Sequence, residues 1–195
     1  MRVALATANS DKAREIAEIL EGLGGIELVA RPKELGDIDE TGDTLEDNAV
    51  LKATAVAAAT GLPAVADDTG LFVDALSGAP GVYSARYAGE HATYADNVAK
   101  LLDELVGVAA PRTARFETAA VLVHPDGRRT VGIGMVLGTI AESPRGAGGF
   151  GYDPLFVADE AGGRTLAELS DADKHAISHR GRALRELAAK LSAPG

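Results

Sequence analysis

The chain has 195 residues, 19 basic against 29 acidic, a formal net charge of −10 and no cysteine. That acidity argues against non-specific binding to DNA or RNA, and the missing thiols exclude disulfides, thiolate zinc sites and cysteine nucleophiles. Hydrophobic content of 46% supports the core of one domain spanning 1–195, packed by aliphatics and alanines because only 4% is aromatic, and no apolar run is long enough for a bilayer.

In chain order, Arg2 to Ala6 reads as a buried strand, and the N-terminus therefore starts as a strand rather than a signal peptide. Ala13, Ile16, Ala17, Leu20 and Leu23 then recur at helical spacing, with Asn9 or Ser10 as cap and Gly24-Gly25 as stop. Ile26 to Ala30 reads as a second strand. Thr44 opens another helix, with Asp47 at the capping-box position and Gly61-Leu62-Pro63 ending it. The short apolar strand Pro63–Ala66 follows and stops in Asp67-Asp68, then Thr69-Gly70.

Thr93 and Asp96 repeat the capping pattern before Val98, Leu101, Leu102 and Leu105. Phe116 to His124 alternates as a long strand, Pro125-Asp126-Gly127 is a turn, and Val131, Ile133, Met135 and Leu137 mark a returning strand. A last helix carries Ile177, Leu184, Leu187, Ala188 and Leu191 on one face. Alternating helices and strands followed by a hairpin predict an α/β domain on a mixed sheet.

Two adjacent carboxylates at a strand end form the most informative feature. They repel one another unless a cation, a shared proton or a basic partner relieves them, and magnesium suits that role beside phosphates. A solvated turn is the alternative, since Asp, Thr and Gly all favour turns. The first strand–helix turn, Thr7-Ala8-Asn9-Ser10-Asp11-Lys12, presents backbone N–H groups and a helix dipole to an anion, with Lys12 in reach. Asn48 and Lys52 lie four residues apart on one helix face, downstream of Glu40.

Gly146 to Gly151 matches G-x-G-x-x-G, yet Tyr152-Asp153-Pro154 follows where a dinucleotide site needs a helix. A loop presenting Phe150 to a planar base is the better reading, with a phenylalanine tucked into the core as its alternative. His175 and His179 are four apart but lack the glutamate of a zinc protease helix. Lys174, His179 and Arg180 read instead as a donor cluster at a helix start, suited to keto oxygens or phosphates.

Taken together, LATANSDK (5–12), ETG with NAVLKA (40–53), ADDTGLFVDALSGAPGVYSARYAG (66–89), GGFGYDP (148–154) and KHAISHRG (174–181) resemble the inosine triphosphate pyrophosphatase family. The resemblance runs from Val3 to about Leu187. It implies an elongated mixed sheet flanked by helices, two lobes with a cleft between them, and a cytoplasmic homodimer. It also implies magnesium-dependent hydrolysis of ITP, dITP and XTP to the monophosphate and pyrophosphate, a cleansing of the nucleotide pool.

Residue by residue, the resemblance makes Thr7 to Lys12 (Ala8, Asn9, Ser10 and Asp11 included) a triphosphate cradle supported by Lys52. Glu40 and Asp68 would hold magnesium with Asp67 close by, and Asp68 would be the general base. Thr69 would touch substrate, and Phe150, Gly151, Tyr152 and Asp153 would embrace the nucleoside. Lys174, His179 and Arg180 would recognise the base. Ala8 replaces a usual glycine, Thr69 a common serine, and Leu45 and Asp47 the frequent phenylalanine and glutamate; none removes a proposed catalytic group. Two rivals stay open: a pyrophosphatase for modified pyrimidine or methylated nucleotides, and a nucleotide-binding sensor without turnover.

Overall fold

Helix caps and strand alternation written in the sequence account for most elements of the computed structural model, which describes residues 1–192. The chain order is β1 (Arg2–Leu5), α1 (Ser10–Leu23), β2 (Glu27–Val29), α2 (Leu45–Thr60), β3 (Ala64–Val73), β4 (Pro80–Gly81) and α3 (Tyr94–Glu104). Then come β5 (Thr113–Val123), β6 (Arg129–Ile140), β7 (Phe156–Ala158), α4 (Asp171–Ile177) and α5 (His179–Ser192). The helix starts follow the expected chemistry. The Asn9 side chain caps α1, Thr44 caps α2, and Thr93 with Asp96 forms a full capping box on α3.

The strands make one mixed seven-stranded sheet flanked by helices, in the order β2-β1-β3-β5-β6-β7, with β4 paired to β3. β1 pairs in parallel with β2 and β3, whereas β3–β4 and β6–β7 are antiparallel. Parallel pairing follows from the helical crossovers α1 and α2, which return the chain to the same end.

The chain divides into two compact units: residues 1–68, 118–134 and those from His179 on in the first, residues 69–117 and 135–178 in the second. Alternation along the strands gives the first unit a core on each face of its sheet. Val3, Leu5, Val65, Ala120 and Leu122 pack against Ile16, Ile19 and Leu20 of α1 and Ala183, Leu184 and Leu187 of α5. On the other face Ala4, Ala6, Ala64 and Ala66 meet Ala49, Ala53, Val56 and Ala57 of α2. Alanine on both sides of that seam lets the helix lie close, so a larger residue there would overpack it.

The second unit packs Leu71, Leu101, Leu105, Val136, Leu155 and Leu166 around Phe116 and Phe156, whose rings lie 4.7 Å apart. All four phenylalanines and all four tyrosines of the chain belong to this unit. The first unit has none.

Two expectations change, and the returning strand, present as β6, shows which of its faces is covered. Asp67 and Asp68 do not end a strand: β3 runs on through them to Val73, because Leu71 and Phe72 continue the ladder against Gly81 and Pro80. The apolar set Ile133, Met135 and Leu137 does alternate on β6, but on the exposed face. The covered face at this end of β6 is made of glycines. A Cβ on Gly132 would stand 2.2 Å from the Ala183 carbonyl oxygen, and one on Gly134 would stand 2.0 Å from that of His179. Only glycine admits α5 that close. Finally, the last helix is two helices, broken at Ser178, whose extended backbone separates Ile177 in α4 from Leu184 and Leu187 in α5.

Candidate active site

In the first unit, three helices, β3 and the loop before α2 bring seven charged side chains together. Successive strand residues point to opposite faces, so the neighbours Asp67 and Asp68 diverge. Asp67 shares the parity of Val65 and turns toward α1 and α5; Asp68 shares that of Ala64 and Ala66 and turns toward α2. Both carboxylates are buried.

Asp68 is held by α2. Lys52 Nζ donates to Asp68 Oδ1 at 3.0 Å and to Glu40 Oε1 at 2.7 Å, and Asn48 Nδ2 donates to Asp68 Oδ2 at 3.3 Å. The Gly42 N–H in turn donates to Asn48 Oδ1 at 2.8 Å, which fixes the loop that carries Glu40. Asn48 and Lys52 work as a pair because i and i+4 share one helix face.

Asp67 is held by α5 instead. Arg180 Nε donates to Asp67 Oδ2 at 2.9 Å, and Arg180 Nη1 donates to the carboxylate of Glu15, a buried residue of α1. Lys12, from the first turn of α1, reaches between the two acids: its Nζ is 3.7 Å from Asp67 Oδ2 and 3.9 Å from Asp68 Oδ1.

These surroundings drive the two carboxyls apart. Burial pushes Asp68 up, the Glu40 charge adds to that, and Lys12 and Lys52 offset it only in part. Burial acts on Asp67 as well, but Lys12, Arg180 and Lys52 together outweigh it and hold that carboxyl well below the usual range. Burial also lowers Lys12, whereas for Lys52 the charges of Asp68 and Glu40 prevail over burial and raise it. One acid is thus held down while its neighbour is pushed up.

The turn before α1 is more self-contained than its sequence implies. Asn9 Oδ1 accepts the N–H groups of Asp11 and Lys12 at 2.9 and 3.1 Å, and Thr7 Oγ1 accepts that of Asn9 at 3.1 Å. Ala8 lies in this turn and Ser10 opens the helix. His179, the first residue of α5, is buried in the same unit.

A separate cluster occupies the second unit. Lys174 Nζ, on α4, pairs with Asp153 Oδ2 at 2.5 Å, and that oxygen also accepts the Phe150 N–H at 2.9 Å. The Lys174 ammonium stands 5.1 Å from the Phe150 ring centroid, and Tyr94 lies 5.8 Å from it on another side chain contact. Gly149 permits this: its φ is +64°, and a Cβ would sit 2.2 Å from Asp153 Oδ2. Gly151 also has positive φ, and the buried Tyr152 donates its hydroxyl to the Ser84 carbonyl at 3.0 Å. Thr69 follows Asp68 in β3 and is partly buried. Lys174 belongs to this unit, and His179 and Arg180 belong to the first.

Glu15 escaped the sequence reading, though a signal for it exists: it precedes Ile19 by four residues, which puts a carboxylate on the buried stripe of α1. A charge in that position demands a cation.

Hard oxygen donors suit magnesium, which takes one or two carboxylates plus substrate phosphates. Glu40 and Asp68, which already share one ammonium, match that description; Asp67 is engaged by Arg180. Among the described residues no group of three His, Cys, Asp or Glu side chains gathers as a complete metal cage.

A model of the Ham1 family matches residues 3–190. A dITP/XTP pyrophosphatase of Geobacter sulfurreducens is 52% identical over 185 residues, covering 94% of this chain and 92% of that one. One from Lactiplantibacillus plantarum is 50% identical, covering 96% and 93% respectively. Among solved structures, a HAM1 protein from Coxiella burnetii superposes with a TM-score of 0.87 at 41% identity and 98% coverage of both chains.

Proposed function

The chain belongs to the Ham1 family, and from that premise we propose that it hydrolyses ITP, dITP and XTP to the monophosphate and pyrophosphate. The observation that carries the reading is Asp68, a buried carboxylate gripped by Lys52, approached by Lys12 and shifted upward by burial.

A water oxygen attacks the α-phosphorus, Asp68 takes the proton, and the bond to the bridging oxygen breaks so that pyrophosphate leaves with the electron pair. Lys12 and Lys52 stabilise charge on the phosphoryl oxygens as that happens. Glu40 and Asp68 would hold magnesium, with Asp67 beside them; once bound, the ion neutralises polyphosphate charge and favours attack.

The two units differ in the chemistry they can offer a nucleotide. The first holds ammonium and carboxylate groups suited to phosphates, and the second holds every phenylalanine and tyrosine. Phe150 stacks on the purine, with Gly151, Tyr152 and Asp153 shaping the loop around it. Lys174, His179 and Arg180 recognise the base, and donors such as His179 and Arg180 favour the keto oxygen at C6. Adenine, with an amino group there and no N–H at N1, would leave these groups unpaired, and such a loss discriminates strongly.

The enzyme works as a homodimer in the cytoplasm, where its nucleotides are. Supporting the dimer, Ile133, Met135 and Leu137 on β6 are 42%, 41% and 58% exposed, an apolar row that a second copy would cover. No helix among the described residues is long and apolar enough to cross a membrane.

The test is to incubate the protein with magnesium and ITP, XTP, dGTP, ATP or dUTP and resolve the products. Monophosphate and pyrophosphate from ITP and XTP, with ATP nearly untouched, are expected. Turnover of dUTP alone moves the assignment to a pyrimidine pocket, and binding of ITP without turnover to a sensor.

A further inference from the structure

We infer that Tyr94 is a positioning residue for base stacking: its ring braces Phe150, so that the purine meets a ring already held in place. The inference rests on the stacking role given to Phe150 above.

The chain around Phe150 does little to hold its ring. Gly149 and Gly151 flank it, both with positive φ, residues 142–149 are exposed, and Phe150 itself is only partly buried. Asp153 Oδ2 accepts the Phe150 N–H at 2.9 Å, but that bond sets the backbone and not the side-chain torsions. The ring is met by the Lys174 ammonium, 5.1 Å from its centroid, and by Tyr94, whose centroid lies 5.8 Å away at an interplanar angle of 37°. That separation falls within the range of favourable aromatic pairs, and the tilt differs from a ring laid flat over another. Tyr94 is thus a neighbour that limits the turning of Phe150, not a stand-in for the base.

Tyr94 is itself firmly mounted. It is the first residue of α3, one turn before Asn97 and Val98 and two before Leu101, so it extends the packed stripe of that helix outward to Phe150. The Thr93–Asp96 capping box brackets it: the Asp96 N–H donates to Thr93 Oγ1 at 3.2 Å, and the Thr93 N–H donates to Asp96 Oδ2 at 2.8 Å. The buried Asn97 then donates to the Ala85 carbonyl at 3.0 Å and accepts the Ala88 N–H at 2.8 Å, which pins the start of the helix to residues 85–88. Tyr94 nevertheless stays 40% exposed, too open for a core role. Its ring acts where it touches Phe150. A stacking ring held in place before the substrate arrives spares the complex the cost of ordering it, and such preorganisation strengthens binding without entering the chemistry.

Tyr94→Ala, Tyr94→Phe, Phe150→Leu and the double variant Tyr94→Ala/Phe150→Leu are compared with the wild type for kcat and KM on ITP, alongside melting temperature. Tyr94→Ala is expected to raise KM about threefold to tenfold with kcat little changed, and Tyr94→Phe, which keeps the ring, to recover the wild-type KM. The double variant is expected to match Phe150→Leu alone, since a brace has no effect once the ring it braces is gone. Additive increases in the double variant overturn the inference in favour of a direct contact between Tyr94 and the substrate. A KM raised alike in Tyr94→Ala and Tyr94→Phe overturns it in favour of the hydroxyl. Wild-type KM in a Tyr94→Ala protein that merely melts earlier overturns it in favour of scaffolding. An unchanged KM in Phe150→Leu strikes the stacking reading itself, and the inference with it.

Discussion

Asp67 and Asp68 are consecutive in β3 yet take their cations from opposite faces of the sheet, Arg180 for the first and Lys52 for the second. The pleat thereby turns a repulsive pair into two independently compensated acids, with Lys12 at the strand edge within 4 Å of both. This separation is what allows one carboxyl to stay ionised while the other is raised.

Asp68→Asn keeps the size of the side chain and removes the proposed base. Turnover of ITP should fall by about a hundredfold to ten-thousandfold, with circular dichroism unchanged. Pyrophosphate release at near wild-type rate would remove Asp68 from the chemistry.

Asp67 sets an acid dependence of stability. Its folded-state carboxyl lies below the ordinary range, so its contribution is fully present above the unfolded value and is lost as pH falls through the folded one. Asp67→Asn should therefore melt several degrees below wild type at pH 7, and the gap should narrow once pH drops under about 4. Melting curves across that range decide it; a gap that widens in acid contradicts the assignment.

Gly134→Ala forces a methyl into the His179 carbonyl. The start of α5 must shift, taking Arg180 with it, at a cost of about 1–3 kcal/mol. Chemical denaturation should show that loss together with reduced kcat on ITP. An unchanged midpoint would mean that α5 is not seated as described.

Much of this architecture was legible beforehand and some was not, for identifiable reasons. Caps at Asn9, Thr44 and Thr93 are local hydrogen-bond chemistry, so the sequence carries them outright. The face of β6 is not local: Ile133, Met135 and Leu137 have the right period, but Gly132 and Gly134 face α5, a helix that begins some 45 residues later in the chain. The continuation of β3 past Asp68 likewise depends on Gly81 and Pro80 arriving to pair with it. Lys52 and Asp68 stand out as motif residues, whereas the cation that Glu15 on its buried stripe demands becomes visible only once Arg180 folds onto it.

In the proposed function the Phe150 loop supplies the stacking contact to the base. Phe150→Leu should raise KM for ITP by about tenfold, in line with about 1–3 kcal/mol of stacking per base. Lys174→Met should erode the preference for ITP over ATP while leaving the residual ATP activity in place. Steady-state kinetics on both nucleotides separate the two effects, and an unchanged preference in Lys174→Met would take Lys174 out of base recognition.

Met135→Glu sets a charge in the exposed apolar row of β6. Sedimentation at micromolar concentration should show the wild type as a dimer and the variant shifted to monomer. A variant that sediments like the wild type would locate the interface on another surface.

The partition of aromatic residues has an optical consequence. With no tryptophan and every tyrosine in the second unit, intrinsic emission is blind to the half of the molecule that holds Lys12, Lys52, Asp67 and Asp68. Tyrosine fluorescence and far-ultraviolet dichroism thus watch different territories during melting, and non-coincident transitions would reveal that the two units come apart in separate steps.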